Sequence, residues 1–315
     1  MYFFIKLILT IILLFFIAKN IDFNELLRIF NSISFKFIFL AFLIQFLLTS
    51  LKTLRWKIIC LILNMNLSFF HSWKNILIGY FFNQTLPSSI GGDAVRILML
   101  SNYGYKIPFQ TVLIDRLFGL LTICLIVIFG KFFLNEDIIN KITFFKSMIL
   151  FPAIFIVFFL IITSLNYFQT KIKYLKKILS YLRLSGFLKS LNKIFFNYFN
   201  LIKILCFSFL IHLVTAYTGF LVLKSLNVNV DFIHFSILFC MVLLLSNIPI
   251  SIGGWGVRES LMIFCMNGIG LQNEMALTLS ILFGFIMILV GLPGGFLWLV
   301  NQMNSELEIF KLFKK

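Results

Sequence analysis

The stretches PSSIGGDAVR at residues 87–96 and PISIGGWGVR at residues 249–258 decide the fold of this chain. They share Pro, Ser, Ile, two Gly, Val and Arg at matching positions. Proline lacks a backbone N–H and glycine lacks a Cβ, so each stretch predicts a break in a helix. Both breaks lie in strongly apolar sequence, where irregular backbone is tolerated only if it faces protein or a water-filled cavity.

The composition indicates that lipid is the solvent of this 315-residue chain. Hydrophobic residues make up 61% of the sequence, and the mean hydropathy is +1.05. Only 12% of residues are charged, yet the net charge is +16, which suits contact with anionic lipid headgroups. Nucleic-acid binding, the competing interpretation of a high pI, is disfavoured because no soluble region is present to carry it. The scattered Cys and His residues predict neither disulfides nor a metal site, and no cofactor is expected.

Six apolar segments approach the length of about 20 residues that spans a hydrocarbon core. They are residues 2–18, 35–51, 111–133, 147–166, 203–223 and 276–300. The first one resembles a signal peptide, but no small-residue cleavage site follows it, so we expect a retained helix.

Two further apolar regions contain the breaks. One runs over residues 75–86 and resumes at 93–100, and the other runs over residues 232–248 and resumes at 256–267. Each part is too short to cross a bilayer alone, so we predict two re-entrant helical hairpins. The alternative is that each region is one kinked spanning helix.

Basic loops predict the orientation, because positive charge is retained on the cytoplasmic side. Two loops, 52–74 and 171–193, carry Lys and Arg and contain no acidic residue. The end of the chain carries Lys311, Lys314 and Lys315. With two re-entrant hairpins, these regions and both termini fall on the cytoplasmic side. Residues 171–195 also show apolar residues at helical spacing, which indicates an amphipathic helix on the cytoplasmic leaflet, or simply a basic loop.

The order span, span, hairpin, span occurs twice, and three crossings per half invert the second half. We therefore predict a single all-α polytopic membrane domain with six spanning helices and two re-entrant hairpins in an inverted repeat, an arrangement typical of transporters. The first half is 1–135. The second starts at 136–170, continues after the basic segment 171–195 through 196–300, and is followed by a cytoplasmic tail at 301–315.

The breaks also predict a binding site for an anion. After each proline, Ser89 or Ser251 can cap a second half-helix, whose free N–H groups attract phosphate or carboxylate. An arginine one turn later can add a charged fork to the same anion. Six charged residues near these depths make a formally neutral set that should pair around a cavity. Asp115 with Arg116 and Arg258 with Glu259 are adjacent pairs, so we expect the two side chains of each pair to point to different sides and to need partners on other helices. We hypothesise that Asp115 or Glu259 binds one of the motif arginines. The candidate substrate-binding residues are Ser89, Gly91, Gly92, Asp93, Arg96, Asp115, Arg116, Ser251, Gly253, Gly254, Arg258 and Glu259.

Three segments resemble the lysylphosphatidylglycerol synthetase transmembrane-region family, also called flippase-like integral membrane proteins. They are LPSSIGGDAVR at 86–96, DRLFGLL at 115–121 and PISIGGWGVRES at 249–260, and LRW at 54–56 fits the same pattern. The resemblance implies a bacterial inner-membrane protein related to the flippase half of enzymes that aminoacylate phosphatidylglycerol. The second motif departs from the first by having Trp255 where the first has Asp93. The chain ends soon after the last predicted span, so no soluble synthetase domain is expected.

The expected function is that of a lipid flippase-like carrier for an anionic headgroup: a phospholipid, an aminoacyl-phospholipid or a polyprenyl-phosphate sugar. The alternative is a membrane subunit that presents lipid to a separately encoded soluble aminoacyl- or glycosyltransferase. Catalysis within the membrane is a weaker interpretation, because no nucleophile, metal cluster or cofactor loop accompanies the acids. We therefore expect a protein that is not an enzyme.

Overall fold

The computed structural model describes residues 2–19, 21–86, 91–142, 145–169, 185–248, 251 and 254–312, and every regular element in these ranges is a helix. The all-α class predicted from the sequence is confirmed. The α-helices in these ranges are α1 (Tyr2–Lys19), α2 (Phe23–Asn31), α3 (Phe35–Ile62), α4 (Phe69–Thr85), α5 (Gly91–Met99), α6 (Lys106–Gly130), α7 (Glu136–Lys141), α8 (Phe145–Gln169), α9 (Ser185–Phe195), α10 (Tyr198–Ser225), α11 (Phe232–Ser246), α12 (Val257–Met266) and α13 (Asn273–Leu312).

Four of the described helical stretches are long and apolar enough to cross a membrane. They are Phe35–Ile62, Lys106–Phe133, Tyr198–Ser225 and Asn273–Val300. The chain is therefore a polytopic membrane protein. The predicted spans 2–18 and 147–166 fall in α1 and α8, where the described apolar stretches are shorter. A total of six spans stays a prediction.

Helix α3 is longer than the sequence suggested, and this difference matters for the site. The predicted span stops at Leu51 and a cytoplasmic loop begins at Lys52, whereas the helix continues without interruption to Ile62. Arg55 in this last part is buried, as is the neighbouring Trp56. Charges count against a span in a hydropathy profile, but they are tolerated at membrane depth when they face a protein interior.

The two interrupted regions fold back on themselves. Helix α5 packs along α4, and α12 packs along α11. In the first pair, a Cβ added to Gly92 would lie 2.0 Å from the carbonyl oxygen of Gly79. Two residues this far apart in sequence cannot touch in one continuous helix, so the kinked-helix alternative is wrong for this pair. That these hairpins re-enter a membrane stays a prediction.

Both hairpins begin with the same local device. The Ser68 side chain accepts a hydrogen bond from the backbone N–H of His71 at the start of α4, at 3.2 Å. Asp231 does the same for the N–H of His234 at the start of α11, at 2.9 Å. Each cap satisfies one of the backbone donors left open at a helix start.

Helices from the two predicted halves pack against each other. The most extensive packing joins α3 to α10, which are predicted to occupy matching places in the two halves. Hairpin helix α4 packs on α13 of the second half, while α11 of the second half packs on α6 of the first. In the predicted repeat, α11 is the counterpart of α4 and α13 is the counterpart of α6. The contact of α4 with α13 therefore corresponds to the contact of α11 with α6.

Only the end of the predicted basic segment 171–195 lies within the described residues, because 171–184 fall outside them. Residues 185–195 form α9, and its apolar side chains Leu188, Leu191 and Ile194 are buried. Leu191 and Ile194 pack in one apolar cluster with Phe118 of α6. The apolar face of α9 therefore covers protein.

Candidate functional site

A cavity of about 370 Å³ lies between the two halves, at the lower end of the usual size range of ligand pockets. Helices α3, α4, α5 and α6 line it from the first half, and α10, α11, α13 and the start of α12 line it from the second. Its charged lining residues are Lys52, Arg55, Asp93, Arg96, Asp115, Arg116 and Arg258. The structure thus brings both motif arginines to one cavity.

Asp115 joins three helices at the floor of this site. Its Oδ1 accepts a hydrogen bond from Nε of Arg55 at 2.8 Å, and Nη1 of Arg55 donates to the hydroxyl of Ser208 on α10 at 3.1 Å. All three side chains are buried. A buried carboxylate requires a cation and further hydrogen bonds, and this arrangement supplies them where α3, α6 and α10 meet.

Arg96 is held in place but not saturated. Its guanidinium carbon lies 4.3 Å from the centre of the Trp56 ring, and Nη1 lies 3.4 Å from Oδ1 of Asp93 and 3.9 Å from Oδ2 of Asp115. Its side chain is 9% exposed, and Nε and Nη2 have no hydrogen-bond partner among the described residues. A guanidinium whose nitrogens lack partners has the donors that an oxyanion needs.

Asp93 binds a second cation besides Arg96. Nε of Arg116 donates to Oδ2 of Asp93, which ties α6 to α5. Asp93 and Asp115 therefore keep a cation of their own, Arg116 and Arg55, even if Arg96 turns toward a ligand. The expectation that Asp115 and Arg116 find partners on other helices is confirmed by these contacts.

Arg258 is bound far more completely than Arg96. Its Nη2 donates to Oε1 of Glu259 at 2.7 Å, and its Nε donates to the hydroxyl of Ser280 at 3.1 Å. The backbone N–H of Gly256 donates to the other oxygen of Glu259 at 2.6 Å. The guanidinium carbon lies 5.0 Å from the centre of the Trp255 ring.

Two expectations about this second arginine are corrected. Adjacent side chains were expected to point apart, but Arg258 and Glu259 bind each other because they occupy the first turn of α12. Ser251 was expected to cap this half-helix. The helix instead begins at Val257 after Gly256, whose φ is +82°, and the buried hydroxyl of Ser251 has no partner among the described residues.

The first glycine pair has a different role from the one predicted. Helix α5 does begin at Gly91, but Gly92 N donates to Oδ1 of Asn83 at 3.0 Å, so it is not free. Neither glycine lines the cavity, and Gly92 allows the close approach of α5 to α4. Gly254, with a φ of +81°, does line the cavity. Ser89 and Gly253 lie outside the described residues.

Sequence reasoning missed several residues of the site. Arg55 falls in the predicted cytoplasmic loop 52–74, yet it is buried and donates a hydrogen bond to Asp115. Lys52, one helical turn earlier, lines the cavity and contacts the hydroxyl of Tyr80. The spacing of Lys52 and Arg55 puts both on one face of α3, and this was the available signal.

Three of the cavity arginines each lie against a glycine of another helix. An added Cβ on Gly79 would lie 2.7 Å from Cδ of Arg96, and one on Gly284 would lie 2.4 Å from Nη2 of Arg258. A Cβ added to Gly119 would lie farther from its arginine, at 3.4 Å from Nη1 of Arg55. Glycine at these positions makes room for guanidinium groups between closely packed helices.

The comparison with known proteins agrees with this picture of a membrane site. The family model described as lysylphosphatidylglycerol synthase TM region matches residues 3–295. A UPF0104 membrane protein from Methanocaldococcus jannaschii is 30% identical over 117 residues, which make up 36% of this chain. The match covers 34% of that relative, so the chain is aligned with about a third of the relative's length.

Proposed function

Because the chain belongs to the lysylphosphatidylglycerol synthase transmembrane-region family, we propose that it is a carrier that moves a lipid with an anionic headgroup across the cell membrane. The observation that carries the proposal is Arg96. Its side chain is buried beside the cavity, and two of its nitrogens have no hydrogen-bond partner among the described residues. A headgroup phosphate would supply the missing acceptors.

The site residues divide into two groups in this proposal. Arg96 and Arg258 contact the phosphate, with the backbone at Gly254 beside it. Asp93, Asp115 and Glu259 hold the two arginines when no lipid is bound, and Arg116 holds Asp93. Trp56 and Trp255 each place an aromatic face under one guanidinium, and this cation–π contact helps to hold the group in a site with little water.

Transport in this proposal follows from two related halves around one site. The exchange of contacts between α4 and α13 and between α11 and α6 supports an inverted repeat. Rocking of one half against the other would expose the cavity first to one leaflet and then to the other. The hairpins would re-enter the membrane from opposite faces, with both termini cytoplasmic and the protein in a bacterial inner membrane.

The test is transbilayer movement of lipid in vesicles that contain the purified protein. A fluorescent lipid with an anionic headgroup is incorporated, and its loss from the outer leaflet is followed after a membrane-impermeant quencher is added. We expect movement that exceeds protein-free vesicles and falls about tenfold or more in Arg96→Gln, because a charged hydrogen bond contributes about 1.5–3 kcal/mol. Arg258→Gln should reduce it as well.

Lys203→Gln is the matched control, since it removes one positive charge from an exposed position of α10. It should leave lipid movement unchanged. Equal rates in vesicles with and without protein, or full activity in both arginine variants, would contradict the proposal. Headgroup-dependent binding without movement would favour the alternative, in which the protein presents lipid to a soluble transferase.

A further inference from the structure

The charges around the cavity do not balance. Five cationic side chains line it, and three carboxylates lie among or behind them, so two positive charges are in excess when each group has its ordinary charge at neutral pH. The set consists of Lys52, Arg55, Arg96, Arg116 and Arg258 with Asp93, Asp115 and Glu259. The six charged residues predicted from the sequence were formally neutral, and the structure adds Lys52 and Arg55 to them.

The contacts identify which cations carry the excess. Each carboxylate has one close arginine: Asp115 has Arg55, Asp93 has Arg116 and Glu259 has Arg258. The remaining two cations are Arg96 and Lys52. Arg96 reaches carboxylates only at 3.4 and 3.9 Å through one nitrogen.

Lys52 is the less obvious member of this pair. Its ammonium group contacts the hydroxyl of Tyr80 and lies 4.7 Å from the centre of that ring. It has no carboxylate within 4.0 Å among the described residues. Lys52 is partly buried, and a partly buried ammonium group without a carboxylate is costly, so an anion bound in the cavity would offset that cost.

We infer that the headgroup carries two negative charges on a terminal phosphate. This inference rests on the proposed function and narrows its substrate class. A phosphate monoester carries a charge of about −1.5 to −2 at neutral pH, because its second pKa is about 6. A phosphodiester carries one negative charge, and lysylphosphatidylglycerol is net positive. Of these three headgroups, the terminal phosphate is the one whose charge matches Arg96 and Lys52 together.

Competition between lipids with identical acyl chains tests this inference. Purified protein in detergent binds a fluorescent phosphatidate, and unlabelled short-chain phosphatidate, phosphatidylglycerol and lysylphosphatidylglycerol are added as competitors, at a pH well above 6. We expect phosphatidate to compete at least about tenfold better than phosphatidylglycerol, and lysylphosphatidylglycerol to compete least. Lys52→Gln should reduce the ratio between the affinities for phosphatidate and for phosphatidylglycerol. Lys203→Gln should leave this ratio unchanged.

The outcomes separate this inference from the proposed function. Equal competition by phosphatidate and phosphatidylglycerol, or better competition by lysylphosphatidylglycerol, overturns the inference and leaves the carrier proposal in place. Displacement by no lipid overturns both. Inorganic phosphate at millimolar concentration serves as a further competitor. If it displaces phosphatidate, the terminal phosphate alone is recognised, and if it does not, the phosphate is recognised as part of a lipid.

Discussion

Arg55 on α3 donates to Oδ1 of Asp115 on α6 at 2.8 Å, and the other oxygen of the same carboxylate faces Arg96 at 3.9 Å. The Arg55–Asp115 pair is thus the connection between the helix scaffold and the arginine that we propose as the phosphate receptor. The hydrogen bond that Arg55 donates to Ser208 on α10 extends this connection to the predicted second half. Stability and binding should therefore respond differently to changes at these positions.

Breaking the Arg55–Asp115 pair should destabilise the fold. Asp115→Asn leaves the Arg55 charge buried without its carboxylate, and such a loss costs about 3–5 kcal/mol. Arg55→Gln should have a comparable effect, and the double variant should lose less than the sum of the two. Thermal unfolding of the three variants in the same detergent measures this coupling. Strictly additive losses would show that the two side chains do not depend on each other.

Arg96→Gln should leave the fold stable while binding is lost. Asp93 and Asp115 retain Arg116 and Arg55 when Arg96 is removed, so no carboxylate is left alone. We expect an unfolding temperature close to that of the natural protein and affinity for an anionic lipid reduced about tenfold or more. A strongly destabilised Arg96→Gln protein would mean that Arg96 has a structural role instead.

Gly284→Ala should disturb binding without disturbing the fold. The new methyl group would lie 2.4 Å from Nη2 of Arg258, the flexible end of that side chain, so the guanidinium must move away from Glu259. Alanine also favours a helix over glycine. We expect weaker lipid binding at nearly unchanged stability. Gly119→Ala is the control, because its methyl group would meet Arg55 at 3.4 Å, an ordinary contact distance.

Gly92→Ala should have the opposite effect. Here the new methyl group would lie 2.0 Å from the backbone carbonyl of Gly79, which cannot move without separating α5 from α4. Overpacking of this kind costs about 1–3 kcal/mol or more. A lowered unfolding temperature, measured beside Gly119→Ala, is the expected result. An unchanged unfolding temperature would contradict the close packing of the first hairpin.

The aromatic contact of Arg96 can be tested through Trp56. Trp56→Phe keeps a ring face under the guanidinium, whereas Trp56→Leu removes it. A desolvated cation–π contact contributes about 2 kcal/mol, so the leucine variant should bind anionic lipid about thirtyfold less tightly than the phenylalanine variant. Lipid binding by the two variants in one detergent makes the comparison. Equal affinities would exclude a role for the ring in holding Arg96.

The fold class and much of the site could be predicted because their signals are local. The apolar length of the spans, the Pro and Gly breaks and the motif arginines all appear within single short segments. The repetition of one pattern at residues 87–96 and 249–258 then indicated two related halves. Asp93, Arg96, Asp115 and Arg258 were found this way and do line one cavity.

The remaining features depend on contacts between helices that no periodicity describes. Lys52 and Arg55 resembled the start of a loop, because a hydropathy profile cannot tell a cation facing lipid from one facing a cavity. Gly79 was missed since its importance comes only from the approach of α5. Ser280 and Gly284 lie four residues apart on one face of α13. This spacing indicates a helix face with a polar and a small residue, but it does not indicate that Arg258 packs there.

Photochemical cross-linking of a bound lipid tests the central claim most directly. A phosphatidate that carries a photoreactive group next to its phosphate is added to the reconstituted protein, irradiated, and mapped by mass spectrometry of the digested chain. The account predicts adducts on lining residues from both halves, such as Tyr80 and Asn247, which disappear with excess unlabelled phosphatidate and in Arg96→Gln. Adducts confined to outward-facing residues such as Phe39 and Phe209, and unaffected by the competitor, would contradict it.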